Sequence, residues 1–139
     1  MYRFKGFTEK ANTALNLALQ SAEEFGHTYI GSEHIVLGLL KEGTGVAASV
    51  LEERGITADD YQAKLLEAES SGSYCHLTPD DFTPRACQIM QTALVEASSM
   101  QHGYVGTEHL LLAALRDTGS VAVRLLVAMG INPEDIYND

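Results

Sequence analysis

Two adjacent Glu-His pairs, Glu33-His34 and Glu108-His109, and two threonines, Thr8 and Thr83, are the residues of this sequence best suited to chemistry. A carboxylate and an imidazole side by side raise the question of a metal. Helical carboxylate metal sites, however, use Glu-x-x-His at i, i+3, whereas adjacent helical residues point about 100° apart. One ion could not easily take both, so no metal is expected. The histidines read as helix-start residues whose rings bond to backbone or to another part of the fold. For Glu33 and Glu108 two readings stand: a carboxylate placed against the positive end of a helix dipole, or a receptor for a cation. Thr8 and Thr83 are ordinary N-caps, or hydroxyls that join free backbone N–H groups in holding an anion. If each threonine lay near the glutamate of its own segment, an anion site would stand beside a cation site.

These residues recur because the chain is a repeat. The offset that lays Phe7-Thr8-Glu9-Lys10-Ala11 over Phe82-Thr83-Pro84-Arg85-Ala86 keeps matching without a gap through Ile56 and Ile131. Along it His27 meets His102, Tyr29 meets Tyr104, Gly31 meets Gly106, and Glu33-His34 meets Glu108-His109. Self-similarity at a fixed period marks one structural unit used twice.

In the first copy, Ala11, Leu15, Ala18, Leu19 and Ala22 follow Thr8 at helical spacing. Gly26 breaks that helix, and Ser32 is expected to cap a second one, apolar nearly all round and therefore central. A third helix runs through Val46 to Leu51 and stops at Gly55; Thr57, with Asp59 and Asp60, caps a fourth. The second copy repeats the plan with Pro84 at N1, Thr107 before Glu108, a helix from about Ser120, and Asn132-Pro133 opening the last. No stretch alternates with period two, so strands are not expected. The expected architecture is all-α: eight helices as two four-helix units related by a pseudo-two-fold axis. It forms a single domain over 1–139, with repeat one at about 7–69, a polar, turn-rich linker at about 70–81, and repeat two at about 82–139.

Composition narrows the function. A net charge of −10 with nine Lys and Arg would repel a phosphate backbone, so nucleic acid is a poor partner, and it disfavours self-association. No apolar run approaches the roughly 20 residues of a membrane span, and the first residues lack the apolar core of a signal peptide, so a cytoplasmic protein is expected. Cys75 and Cys87 lack CxxC spacing and read as two unpaired thiols. No phosphate-cradling Gly-x-x-x-x-Gly-Lys-Ser/Thr, His-Glu-x-x-His or Gly-x-Ser-x-Gly occurs, so neither an enzyme nor a cofactor of this domain is expected.

The opening motifs at Phe7 and Phe82 and the runs Gly26-His27-Thr28-Tyr29-Ile30-Gly31-Ser32-Glu33-His34-Ile35 and His102-Gly103-Tyr104-Val105-Gly106-Thr107-Glu108-His109-Leu110, with Lys41-Glu42-Gly43-Thr44-Gly45-Val46-Ala47, resemble the Clp N-terminal repeat domain of ClpC-type AAA+ unfoldases over nearly the whole chain. The resemblance implies a domain tethered ahead of two ATPase modules, which would supply ATP and Mg in a hexamer over the Clp protease. Such a domain serves chaperone, quality-control and stress-response work, binding adaptor proteins and unfolded or arginine-phosphorylated substrates. It also implies phosphoarginine sites at Thr8 with Glu33 and at Thr83 with Glu108, the glutamates holding the guanidinium and the threonines helping to hold the phosphate. Asn12 and Cys87 stand where related sequences often have a polar or basic residue. The rival readings are an adaptor-docking helical module without phosphoarginine recognition, a small enzyme or metal protein using the Glu-His pairs, and a structural repeat with no ligand.

Overall fold

The computed structural model describes residues 2–137; Met1 and the last two positions of the expected second repeat lie outside the described residues. Eight α-helices follow in order: α1 (Glu9–Phe25), α2 (Ser32–Glu42), α3 (Val46–Glu53), α4 (Ala58–Ala68), α5 (Pro84–Ser99), α6 (Thr107–Arg116), α7 (Val121–Ala128) and α8 (Pro133–Tyr137). Among the described residues there is no strand, and no single helix is long and apolar enough to cross a membrane.

The helix starts follow their caps. Thr8, Thr57, Thr83 and Ser120 each accept a hydrogen bond from the amide three residues on, at 3.0 to 3.2 Å, which satisfies a donor the helix itself leaves orphaned. At α2 and α6 the expectation needs correcting. Gly31 and Gly106 occupy the cap positions, and Ser32 and Thr107 are the first helical residues. Their hydroxyls serve the opposite repeat instead: Ser32 Oγ accepts from Ala122 N at the start of α7, and Thr107 Oγ1 accepts from Ala47 N at the start of α3, both at 3.2 Å. Each repeat thus caps a helix of the other. Ser32→Ala should therefore raise amide exchange at the start of α7, in the other repeat, and Thr107→Ala should do so at the start of α3. Each variant should cost about 1 kcal/mol. Loss of protection confined to the mutated helix would contradict the exchange.

α2 and α6 form the centre. α2 packs on α1, α3 and α4 of its own repeat and on α5, α6 and α7 of the other. Ile35, Val36, Leu37 and Leu39 have no exposed surface, which is why this helix carries apolar residues on every face. The two repeats also exchange single parallel bridges, Phe7 with Val105 and Ile30 with Phe82. Thr8 N donates to Val105 O at 2.9 Å and Val105 N to Gly6 O at 2.8 Å; in the mirrored pair, Thr83 N donates to Ile30 O at 3.0 Å and Ile30 N to Asp81 O at 2.9 Å. These bonds clamp the start of α1 beside the start of α6, and the start of α5 beside the start of α2.

Asn12 and Asn16 hold the N-terminal segment along α1. Asn12 Oδ1 accepts from Phe4 N at 2.6 Å while its Nδ2 donates to the carbonyls of Phe4, Phe7 and Thr8, and Asn16 pairs in both directions with the backbone of Tyr2. Cys87, the counterpart of Asn12, makes no such clasp; its Sγ lies 3.9 Å from Phe82 O. Neither Cys75 nor Cys87 is in a disulfide. The segment between the repeats is docked rather than free. Leu77 is buried, its amide donates to Glu23 Oε2 at 2.8 Å, and Gly72 N and Cys75 N bond to the last carbonyls of α1.

Candidate functional site

The run Gly-Ser/Thr-Glu-His assigns one task to each residue. The cap glycine's N–H donates to the ring of the histidine three residues on, Gly31 to His34 Nδ1 at 2.9 Å and Gly106 to His109 Nδ1 at 2.8 Å. The hydroxyl residue caps the other repeat. The glutamate turns back over the glycine: a Cβ on Gly31 would overlap Glu33 Oε1, and one on Gly106 would overlap Glu108 Oε1. A side chain at either position would have to displace that carboxylate. The carboxylate is thereby held over the glycine that follows the bridged Ile30 or Val105, whose bridge partners Phe82 and Phe7 are each followed by the capping threonine of the other repeat.

This arrangement corrects the expected pairing. Thr8 shares a depression of about 610 Å³ with Glu108, along with Lys10, Thr44, Gly45, Val46 and Tyr104. Thr83 shares a smaller one of about 260 Å³ with Glu33, along with Tyr29, Ser32, Glu69, Arg85 and Val121. The threonine and glutamate that share a depression come from different repeats, because the bridges place each helix-1 start against the opposite segment. Lys10 and Arg85 hold equivalent places two residues after the threonines. Lys10 Nζ donates to Thr44 O at 3.1 Å, and Arg85 donates to Asp117 Oδ1 at 3.0 Å. Each depression therefore offers a helix N-terminus, a hydroxyl, a cation and a carboxylate, able to take a group with an anionic and a cationic part.

The two sites differ in electrostatics. Glu33 is only 3% exposed, and burial, reinforced by the neighbouring Glu69 carboxyl, pushes its own carboxyl up to about 8. Tyr61, wholly buried, donates from its hydroxyl to Glu33 O at 3.0 Å and fixes the turn that carries the carboxylate. Tyr29 lies flat on the His27 ring, 5.5 Å between centroids, and its phenol is raised by burial and by Glu69. Glu108 is half-buried, and Tyr104, the counterpart of Tyr29, stands 65% exposed at the rim.

His27, His34 and Glu69 lie close enough together to suggest a metal site. Hydrogen bonding argues otherwise. With Nδ1 accepting from Gly31 N, the neutral His34 ring carries its proton on Nε2, which faces His27 Nδ1 at 2.8 Å; His27 then donates from Nε2 to Ser70 O at 3.2 Å. No ring nitrogen keeps a free lone pair for an ion. The rings form a relay of fixed tautomers from Gly31 to Ser70, and burial together with His27 lowers His34 to about 3. His102 and His109 repeat the inner contact at 2.8 Å, and burial, foremost, also lowers His109.

Thr8, Thr83, Glu33 and Glu108 were legible in the sequence, and Lys10 and Arg85 carried a signal in the matched opening motifs. Glu69 carried none: it is the last residue before the linker and belongs to no matched run.

A helical double repeat is the architecture of a Clp N-terminal domain, and the chain belongs to that family: it matches the Clp repeat (R) N-terminal domain over residues 6–74 and 81–139. Among curated relatives it is 41% identical over 133 residues to the chloroplastic chaperone protein ClpC1 of Oryza sativa subsp. japonica, which covers 96% of this chain and 14% of that protein. It thus corresponds to the N-terminal region of ClpC/ClpA-type chaperones and spans about one seventh of their length. Among solved structures, the N-terminal domain of ClpD from Arabidopsis thaliana superposes with a TM-score of 0.81 at 21% identity, covering 97% of this chain and 92% of that one. The ClpV N-domain in its complex with a VipB peptide superposes with a TM-score of 0.71 at 20% identity, covering 97% and 88%. These two likenesses establish the fold.

Proposed function

We propose that this domain recruits clients and adaptors to a ClpC-type unfoldase and reads phosphorylated arginine at two sites, Thr8 with Glu108 and Thr83 with Glu33. The observation that carries the reading is the cross-repeat geometry. Each threonine-capped helix start offers a hydroxyl and an uncapped N–H to the phosphoryl oxygens, at α5 that of Arg85 alone because Pro84 has none and Ala86 N is bonded to Thr83, and the carboxylate that shares the depression from the other repeat suits the guanidinium. Lys10 and Arg85 add positive charge on the phosphate side. Binding here makes and breaks no bond, and two weak sites on one domain raise avidity toward multiply modified clients. The peptide on the ClpV N-domain supports use of this fold as a docking platform.

The crossing sharpens the test. In an amide NMR titration with phosphoarginine, with arginine and phosphoserine as controls, Glu108→Ala should weaken binding at Thr8 by roughly tenfold or more while leaving the response at Thr83. Glu33→Ala should do the reverse. Absence of any response from the parent domain at millimolar ligand would overturn phosphoarginine recognition and leave adaptor docking as the function.

A further inference from the structure

Glu69 has no part in the recognition chemistry described so far, yet its position is strongly determined. It caps the end of α4, its amide bonded to Leu65 O at 2.8 Å, and the next residue is held by the histidine relay through Ser70 O. Its carboxyl lies against the Glu33 carboxyl and the Tyr29 hydroxyl inside the Thr83 depression. Its Oε1 is buried and meets no donor among the described residues. Two carboxyl groups in contact, one 97% buried and the other with an unsatisfied buried oxygen, are satisfied together by one shared proton. The other charged or titratable groups facing this spot are His27 and His34, whose ring nitrogens lie within 4.8 Å of a Glu69 carboxyl oxygen but are committed to the relay; Arg85 from α5, already engaged by Asp117; Tyr29; and Tyr61 beneath the Glu33 carbonyl. At the Thr8 depression, the other lining carboxylate is Glu9, which pairs with Arg3 at 2.6 Å, and the nearby Glu42 carboxylate accepts from Thr44 N at 3.1 Å and Gly45 N at 2.7 Å.

We propose that Glu69 is a specificity-determining residue of the Thr83–Glu33 site, holding Glu33 by a shared proton when the site is empty and flanking the guanidinium when it is filled, so that binding there releases a proton. The inference rests on the proposed function and refines it. The exchange balances: the acid pair carries one negative charge, the entering guanidinium is cationic, and the departing proton goes to solvent, leaving two carboxylates about one cation. A neutral or purely anionic ligand cannot drive the exchange, so the site discriminates for guanidinium-bearing groups more strictly than the Thr8–Glu108 site.

The test is a phosphoarginine titration followed at the Thr8 and Thr83 amides at pH 6.5 and 8.5, on the parent and on Glu69→Gln, with side-chain carboxyl carbon shifts of the ligand-free protein recorded alongside. Titration of the probe itself acts on both sites, so their affinity ratio isolates the acid pair. In the parent the ratio should move toward Thr83–Glu33 by roughly tenfold or more over that range, because proton release makes binding pH-dependent. In Glu69→Gln the ratio should move clearly less than in the parent, and the Glu33 carboxyl should titrate lower than in the parent while burial keeps it above the ordinary carboxylate range; an equal move in parent and variant overturns the role of Glu69. Binding at both sites with a constant ratio in the parent, or a Glu33 carboxyl of ordinary acidity there, overturns the role of Glu69 and leaves the proposed function standing. No binding at either site removes the proposed function and this refinement with it.

Discussion

Gly38→Ala should lower the stability of the domain by about 3 kcal/mol and the melting temperature by roughly 10 °C. A Cβ at position 38 would overlap Ala14 O and lie 2.9 Å from Ala18 N, both backbone atoms of α1. No rotamer change relieves a clash with backbone, so α1 and α2 would have to separate, and both line the core through residues with no exposed surface. The second repeat shows the alternative packing: Ala113 stands at the matching position, and a groove of about 750 Å³ lies there between α5 and α6, lined by Ile89, Thr92 and Ala113 among others. Ala113→Gly should cost only about 1 kcal/mol, through helix propensity. Thermal unfolding of the two variants checks the pair, and a Gly38→Ala domain that melts with the parent would refute the close approach.

The second large effect is in pH. Stability should rise from about pH 3 to 4.5, stay nearly level to 6.5, and fall from there to about 8. His34, lowered to about 3, is neutral in the fold but protonates below its ordinary value near 6.5 once unfolded, so over that interval stability is lost as pH falls. Glu33, raised to about 8, keeps a proton in the fold that the unfolded chain gives up above 4.5, so there stability is lost as pH rises. Each contribution slopes by up to about 1.4 kcal/mol per pH unit, and the two oppose each other where they overlap. Glu33→Gln, which keeps the shape without the charge, should abolish the alkaline decline and leave the acid limb. Denaturant unfolding at a series of pH values measures both, and an unchanged alkaline limb in the variant would show that the decline has another source.

Much of this organisation is local in origin. Thr8, Thr57, Thr83 and Ser120 cap their helices by bonds reaching three residues, and the apolar residues of α1 and α2 recur at helical spacing. Such patterns are written within one turn of chain and survive any docking of the helices. The repeat was equally plain, since the Phe-Thr and Gly-Ser/Thr-Glu-His runs match residue by residue. Ser32 and Thr107 mark where local reading stopped. A hydroxyl at a helix start reads as its own helix's cap, but here the cap glycine is bonded by histidine and the hydroxyl reaches the opposite repeat.

The amino-acid sequence by itself determined an all-helical duplicated domain and singled out Thr8, Glu33, Thr83 and Glu108 as the candidates for recognition. Tertiary structure alone decided which threonine meets which glutamate, because the bridges at Phe7–Val105 and Ile30–Phe82 join segments remote in the chain and their register depends on how the two repeats dock. It also decided that Glu69 lies against Glu33, a contact between like-charged side chains that no spacing rule predicts and that stands because burial favours one shared proton over two charges.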